Sequence, residues 1–305
     1  MNTHTSALTS SSARAALVNT KVLSLRKKGR HASSSSSSSG KQTKKQTMII
    51  KAVSNSVTPD NDWGESTQAV HNGERGGRPR ISDSLTTPIV CTSTYTFKDT
   101  QELIDYQEGN YGSFEYGRYG NPTTRAAEEK IRLLEGGDDC LLSASGMCTA
   151  VTMLLSLVPA GGHIVTTTDC YRRTRQFIQT FLPKMGITST VLDPSDYDGL
   201  QKALDEHDCS LYFSESPTNP YLRCVDIDRI SKMCKPKGCL VCIDGTFATP
   251  CNLKPLKFGA DLVIHSASKY MGGHNDVLAG VIVGQKEAVS KVRAFHNIVG
   301  GVLDP

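Results

Sequence analysis

The sequence predicts an α/β fold with a mostly parallel sheet flanked by helices, on three observations. From Thr123 onward, short apolar runs alternate with segments of helical spacing, the pattern of βαβ units. Polar residues stand where those runs stop, at Asp169, Glu215, Asp244 and Ser266. No run of eighteen apolar residues and no internal repeat occurs, which argues against a membrane span and a solenoid.

In chain order, residues 54–122 read as an arm rather than a core. They contain Gly76, Gly77, Pro79, Pro88 and a string of glycines from Gly109 to Gly120. Residues 124–134 space their apolar positions helically and stop at Gly136 and Gly137. Residues 140–143 predict a strand, and 147–158 an apolar helix ended by Pro159 and the glycines at 161 and 162. A strand at 163–168 and a helix at 172–185 follow. Next come a strand at 187–192, a helix at 197–207 and a strand at 210–214. A helix at 226–235, a strand at 239–243 and two last strands at 261–264 and 281–283 complete the domain over 123–305. Parallel sheets covered by helices gather ligands at the carboxyl ends of their strands, where the four polar residues fall.

Charge and cysteine content narrow the function classes. The chain has 305 residues and a formal charge of +4, but residues 1–59 hold no Asp or Glu and carry ten of its 34 basic residues. The remainder, 24 basic against 30 acidic residues, is net acidic, so the basicity says nothing for nucleic-acid binding. Residues 1–53, with a serine run from Ser33 to Ser39, have the composition of an organellar transit peptide, with cleavage expected around 48–53. The abundance of serine favours a plastid, with its stroma as destination, over a mitochondrion. Ten scattered cysteines fit a reducing compartment. Cys239 and Cys242 lie within an apolar strand and read as core fillers; no second pair or histidine cluster completes a metal site.

The chemistry concentrates around Lys269. The run from Asp261 to Ile264 passes through His265, Ser266 and Ser268 into Lys269, then into the turn at Gly272 and Gly273. A lysine buried at a strand end, beside hydroxyls able to hold an anion, is an amine placed for Schiff-base chemistry. Asp244, ending another apolar run, adds a carboxylate that can face a pyridinium nitrogen, the pair that pyridoxal phosphate (PLP) requires. Ser145, Gly146 and Met147 join a strand to a helix, where small residues let backbone N–H groups approach a phosphate. Neither G-x-G-x-x-G nor G-x-x-x-x-G-K-[ST] occurs, which disfavours dinucleotide and P-loop readings.

Several separated motifs together resemble the Cys/Met-metabolism family of PLP enzymes, of aminotransferase-like fold type I. They are Tyr116-Gly-Arg118-Tyr-Gly-Asn121-Pro-Thr123, Ser145-Gly-Met147, Tyr171, Glu215-Ser-Pro-Thr-Asn219-Pro220, Asp244-Gly-Thr-Phe-Ala-Thr-Pro250 and Ser266-Ala-Ser-Lys269. The detail around Glu115, Val165 to Arg172 and Gly272 to Gly280 is most similar to the plant cystathionine γ-synthase branch. The resemblance covers about residues 65–305.

It implies that Lys269 bonds the cofactor and then moves protons, that Asp244 keeps the pyridine nitrogen protonated, and that Tyr171 stacks on the ring and assists proton transfer. Gly146 and Met147 supply N–H groups to the phosphate, Ser266 and Ser268 hydroxyls, and Asn219 approaches the phenolic oxygen. Tyr116 and Arg118 reach the phosphate of a neighbouring subunit's cofactor, which implies a homodimer or homotetramer with shared active sites. Glu115, with Tyr116, helps position a substrate amine. No metal, nucleic acid or membrane is expected.

The implied reaction is γ-replacement: cysteine displaces the activated γ-substituent of a homoserine, O-phosphohomoserine in the plant enzymes, to form cystathionine for methionine synthesis. The same machinery also serves γ-lyases acting on cystathionine or methionine. Two departures stand out. Ser268 replaces the family's usual Thr, and the chain stops at Pro305, where the family's C-terminal domain, with its arginine for the substrate carboxylate, is expected to begin. A catalytically silent chain that binds only PLP or a partner is the reading of another class.

Overall fold

The computed structural model describes residues 64–71 and 84–305, all within one unit spanning residues 51–305. The expected leader at 1–53 lies outside the described residues. In the described part of the arm, Thr100–Gln107 forms a helix, which glycine-rich composition alone did not reveal. Asp99 caps it by accepting the Glu102 N–H at 3.0 Å. This helix is α2, following the short α1 at Glu65–His71. The arm is pinned to the domain by side chains: Asn121 Nδ2 donates to the Val90 carbonyl at 2.7 Å, and the Val90 N–H to Thr123 Oγ1 at 2.9 Å.

The domain begins with α3 (Pro122–Glu135), ended by Gly136 in the left-handed conformation that L side chains rarely adopt, φ 79°. Strand β1 (Asp139–Ser143) leads into α4 (Gly146–Leu157), β2 (His163–Thr167) and α5 (Arg172–Gln176). The single helix expected over 172–185 is three pieces. After α5 the chain widens into a π turn over Phe177–Phe181, then tightens into a 3₁₀ turn over Leu182–Met185. Pro183 lies in that last turn and has no N–H for an α-helical ladder. Strand β3 (Thr188–Leu192), α6 (Tyr197–Glu206), β4 (Cys209–Glu215), α7 (Ile227–Cys234) and β5 (Leu240–Asp244) follow. The short α8 (Thr249–Asn252), β6 (Leu262–His265), β7 (Gly280–Gly284) and α9 (Lys286–Val299) close the chain. Helix α9 was not expected, although Ala288, Val289, Val292 and His296 trace its buried stripe and Gly300 stands at its end.

The seven strands form one sheet in the order β1-β7-β6-β5-β4-β2-β3. Strands β2 to β6 run parallel to one another, while β7 is antiparallel to both β6 and β1. Successive strand side chains face opposite sides, so each strand feeds two cores. Ile164, Leu211, Phe213 and Cys242 pack with Met153 and Leu154 of α4 and Val289 of α9. Val165, Tyr212, Val241 and Ile243 meet Leu200 and Leu204 of α6 and Ile230 of α7 on the other side. Cys239 and Cys242 belong to opposite cores, 2% and 0% exposed, as packing residues. Among the described residues no helix is long and apolar enough to cross a membrane, and no cluster of three or more His, Cys, Asp or Glu could hold a metal.

Candidate functional site

A cavity of about 580 Å³ opens at the carboxyl ends of the parallel strands. Its wall brings together Gly146, Met147, Tyr171, Asn219, Asp244, Ser266, Ser268 and Lys269, which lie far apart in the chain.

The anion side of the cavity is the start of α4. The Ser145 hydroxyl caps the helix, accepting the Cys148 N–H at 3.1 Å, which leaves the N–H groups of Gly146 and Met147 at a helix start with a positive dipole end. Gly146 is needed there because of close approach. A Cβ on it would lie 2.8 Å from Ser266 Cβ and 3.0 Å from Ser266 Cα. The helix start and the turn after β6 therefore meet backbone to side chain and form a narrow cradle. No hydrogen bond among the described residues uses the Ser266 hydroxyl. Ser268 differs from expectation: its hydroxyl donates to the Ala279 carbonyl at 3.1 Å and accepts the Ala279 N–H at 2.9 Å. Its proton is thereby committed to tying the lysine turn to the approach to β7, leaving Ser266 as the donor for an anion.

Asp244 ends β5 facing the cavity. Its Oδ1 accepts both the Thr246 N–H, at 2.9 Å, and the Thr246 hydroxyl, at 2.5 Å. Its Oδ2 takes no bond among the described residues and remains an acceptor. Burial raises the Asp244 carboxyl above its ordinary range, while the Thr246 bonds and His265 pull it back. Thr246 also accepts the Ser266 N–H at 2.8 Å, joining the β5 and β6 ends. The Asp-x-Thr spacing was visible in the sequence, but only the bonds give Thr246 its role. Behind them, His265 Nε2 meets Glu135 Oε1 at 2.5 Å, with both side chains at most 1% exposed.

Lys269 lies on the turn after β6, its N–H bonded to the Ser266 carbonyl at 3.1 Å. The expectation of a buried lysine is corrected: the side chain is exposed, because the turn carries it beyond the strand end to the open rim of the cavity. Tyr171, 45% exposed, stands on the loop after β2. Glu215, Pro217 and Phe247 also line the wall, and like Thr246 they lie inside motifs that assign them no role. Tyr116 and Arg118 do not line this cavity. The Arg118 guanidinium sits 5.0 Å from the ring centres of Tyr116 and Tyr119 and donates to the Asn297 carbonyl at 2.5 Å. Glu115 also lies apart, accepting the Tyr106 hydroxyl at 3.1 Å.

The donor set fits PLP. The cradle at Gly146 offers two helix-start N–H groups and a hydroxyl to a phosphate, Asp244 Oδ2 can face a protonated ring nitrogen, and Lys269 supplies an amine on the same cavity.

Comparison with known proteins agrees with this geometry. A family profile described as Cys/Met metabolism PLP-dependent enzyme matches residues 66–305. The chain is 62% identical over 241 residues to cystathionine gamma-synthase 1, chloroplastic, of Nicotiana tabacum, covering 79% of this chain and 45% of that one. Among solved structures, the cystathionine gamma synthase of Xanthomonas oryzae pv. oryzae, in complex with aminoacrylate and cysteine, superposes with a TM-score of 0.73. It is 30% identical, over 80% of this chain and 61% of that one. The cystathionine gamma-lyase of Lactobacillus plantarum, complexed with L-serine, gives 0.71 at 34% identity, over the same shares. The chain spans about half the length of the tobacco relative.

Proposed function

The chain belongs to the Cys/Met metabolism PLP-dependent enzyme family, and on that footing we propose that it forms cystathionine by γ-replacement, from cysteine and an activated homoserine, O-phosphohomoserine by the plant-type motifs. The observation that carries this reading is one cavity presenting Lys269, Asp244 and the Gly146 cradle together. Identity to a plant synthase at 62% supports the synthase over the lyase.

Bound PLP supplies an aldehyde that condenses with amines and a ring that draws electrons from the carbon bearing the amine. The N–H groups of Gly146 and Met147, with the Ser266 hydroxyl, would hold its phosphate, and Asp244 Oδ2 its ring N–H. The two Thr246 bonds to Oδ1 orient that carboxylate and favour its ionised form against burial. Lys269 Nζ, on the rim, takes a proton from the substrate Cα and returns one later in the reaction. Tyr171, in the cavity wall after β2, would cover the ring and assist proton transfer. The balanced outcome is loss of the γ-phosphate with its C–O bonding pair and formation of a C–S bond by the cysteine thiolate.

Tyr116 and Arg118, lying outside the cavity of their own chain, support a homodimer or homotetramer in which they serve a neighbour's cofactor. The acid-free leader and the chloroplastic relative support a plastid location, in the stroma. The deciding assay supplies O-phosphohomoserine, cysteine and PLP to the full chain and follows products. Cystathionine with released phosphate is expected; ketoacid and ammonia as the main products would favour the γ-lyase instead. Mixing Arg118→Ala with Lys269→Ala chains should restore part of the activity that each lacks alone, and no recovery would count against shared sites.

A further inference from the structure

Glu215 is a buried acid in the cavity wall that the mechanism above does not use. It ends β4, is 4% exposed, and directs both carboxylate oxygens at backbone donors. Oε1 accepts the N–H of Tyr171 at 2.5 Å, and Oε2 accepts the N–H of Asn219 at 3.0 Å. No other bond among the described residues answers either N–H. The two donors belong to different loops: Tyr171 follows β2 and Asn219 follows β4, and both side chains line the cavity. One carboxylate thus ties together two wall residues of separate loops, Tyr171 being anchored otherwise by its carbonyl, which accepts the Arg175 N–H at 3.1 Å at the start of α5.

We infer that Glu215 is a positioning residue that clamps Tyr171 and Asn219 by their backbones, and so sets the gap in which the PLP ring is held. The clamp rests on the cofactor reading for its use, though not for its existence. Asp244 lies directly opposite Glu215 in the β4–β5 register. Burial and that neighbouring charge push the Glu215 carboxyl up to about 8, while its two N–H donors pull it down. Only a carboxylate serves both donors equally. Glutamine has the same shape but one acceptor oxygen, and would turn an NH₂ group toward the second N–H.

Two measurements on the full chain test this, made above about pH 8 where the carboxyl is ionised. The first is amide hydrogen exchange of the chain without PLP. Tyr171 and Asn219 amides should exchange about tenfold or more slowly than unprotected loop amides, and Glu215→Gln should release at least one of them. Unprotected amides at both positions in the folded parent would overturn the clamp, whatever the variant does. The second is titration with PLP, read by affinity and by visible circular dichroism of the bound cofactor. Glu215→Gln should raise the Kd about tenfold or more and change the band, because ring contacts shift; loss of a hydrogen bond to a charged group is of that size. Tyr171→Ala should add little in the Glu215→Gln background. A folded Glu215→Gln chain with the parent's affinity and band would overturn the inference. If the parent itself takes no PLP, the cofactor reading fails, and the exchange experiment still decides the clamp. If Glu215→Gln does not fold, exchange in the parent decides it.

Discussion

Gly146→Ala isolates the cradle from the rest of the site. The added Cβ would sit 2.8 Å from Ser266 Cβ, 3.0 Å from Ser266 Cα and 3.1 Å from Ser266 Oγ, so relief needs a movement of about half an ångström. Neither side yields easily. Ser266 is held by its N–H to Thr246 Oγ1 at 2.8 Å and by its carbonyl to the Lys269 N–H at 3.1 Å. The α4 side is held by the Ser145 carbonyl, which accepts the Thr149 N–H at 3.0 Å, and by Gly280, whose own Cβ would fall 2.2 Å from that carbonyl oxygen. Overpacking at such a contact costs about 1–3 kcal/mol. Relief by parting the two walls moves helix-start N–H groups and the Ser266 hydroxyl away from one another. Losing one charge-assisted hydrogen bond to a phosphate, about 1.5–3 kcal/mol, corresponds to a Kd for PLP about 10–100-fold higher. Urea unfolding without PLP reads the first quantity, and absorbance titration with PLP reads the second. Gly112→Ala is the control, because nothing lies within 4 Å of a Cβ there. A Gly146→Ala chain matching that control in both stability and affinity would refute the close-approach reasoning.

Three further outcomes follow from the same geometry. Lys269→Ala should abolish turnover and borohydride-fixed PLP while changing unfolding free energy by less than about 0.5 kcal/mol, since the side chain is exposed; a large loss of stability would contradict the exposed placement. Glu135→Leu should destabilise the chain by about 1–3 kcal/mol in denaturant titration, leaving His265 Nε2 buried without its partner. Adding His265→Leu should recover part of that loss, and full additivity would argue that the two do not act as a pair. The Glu215 carboxyl is raised from 4.5 to about 8, so the folded chain binds its proton more tightly than the unfolded chain. Its contribution to stability should therefore fall as pH rises from about 4.5 to about 8 and stay low above that. Glu215→Gln should remove this slope from the stability–pH curve of the unloaded chain, and parallel curves for the two proteins would show that the shift is absent.

The strand ends were legible because they follow from local rules. An apolar run that stops at Asp244 or Glu215 marks a strand reaching the sheet's edge, and Pro159 or Gly136 marks a helix stop through lost donors or left-handed backbone. Helix α9 was legible in principle, with its stripe from Ala288 to His296. The broken helix after Arg172 was less so: Pro183 signals a stop, but no residue type signals the π turn ahead of it, where Ile178 is buried in the core. The direction of β7 was not legible. Its apolar residues serve a parallel or an antiparallel neighbour equally well, and pairing with both β1 and β6 decides it.

The site divides along the same line. Residue type alone marked Lys269, Asp244 and Gly146 as an amine, a carboxylate and a permissive turn, because those chemistries belong to the side chains themselves. Which groups remain available is a matter of contacts between segments far apart in sequence, and only the fold sets them. Tertiary structure committed the Ser268 hydroxyl to Ala279 and left Ser266 facing the cradle. It tied Thr246, the local brace of Asp244, to the Ser266 N–H at the end of the next strand, and it set Glu215 between two loops whose N–H groups no secondary structure satisfies. A hydrogen bond needs a partner at the right distance and angle, and for Tyr171 and Glu215, which lie on different strand ends 44 positions apart, that distance exists only once the sheet has formed.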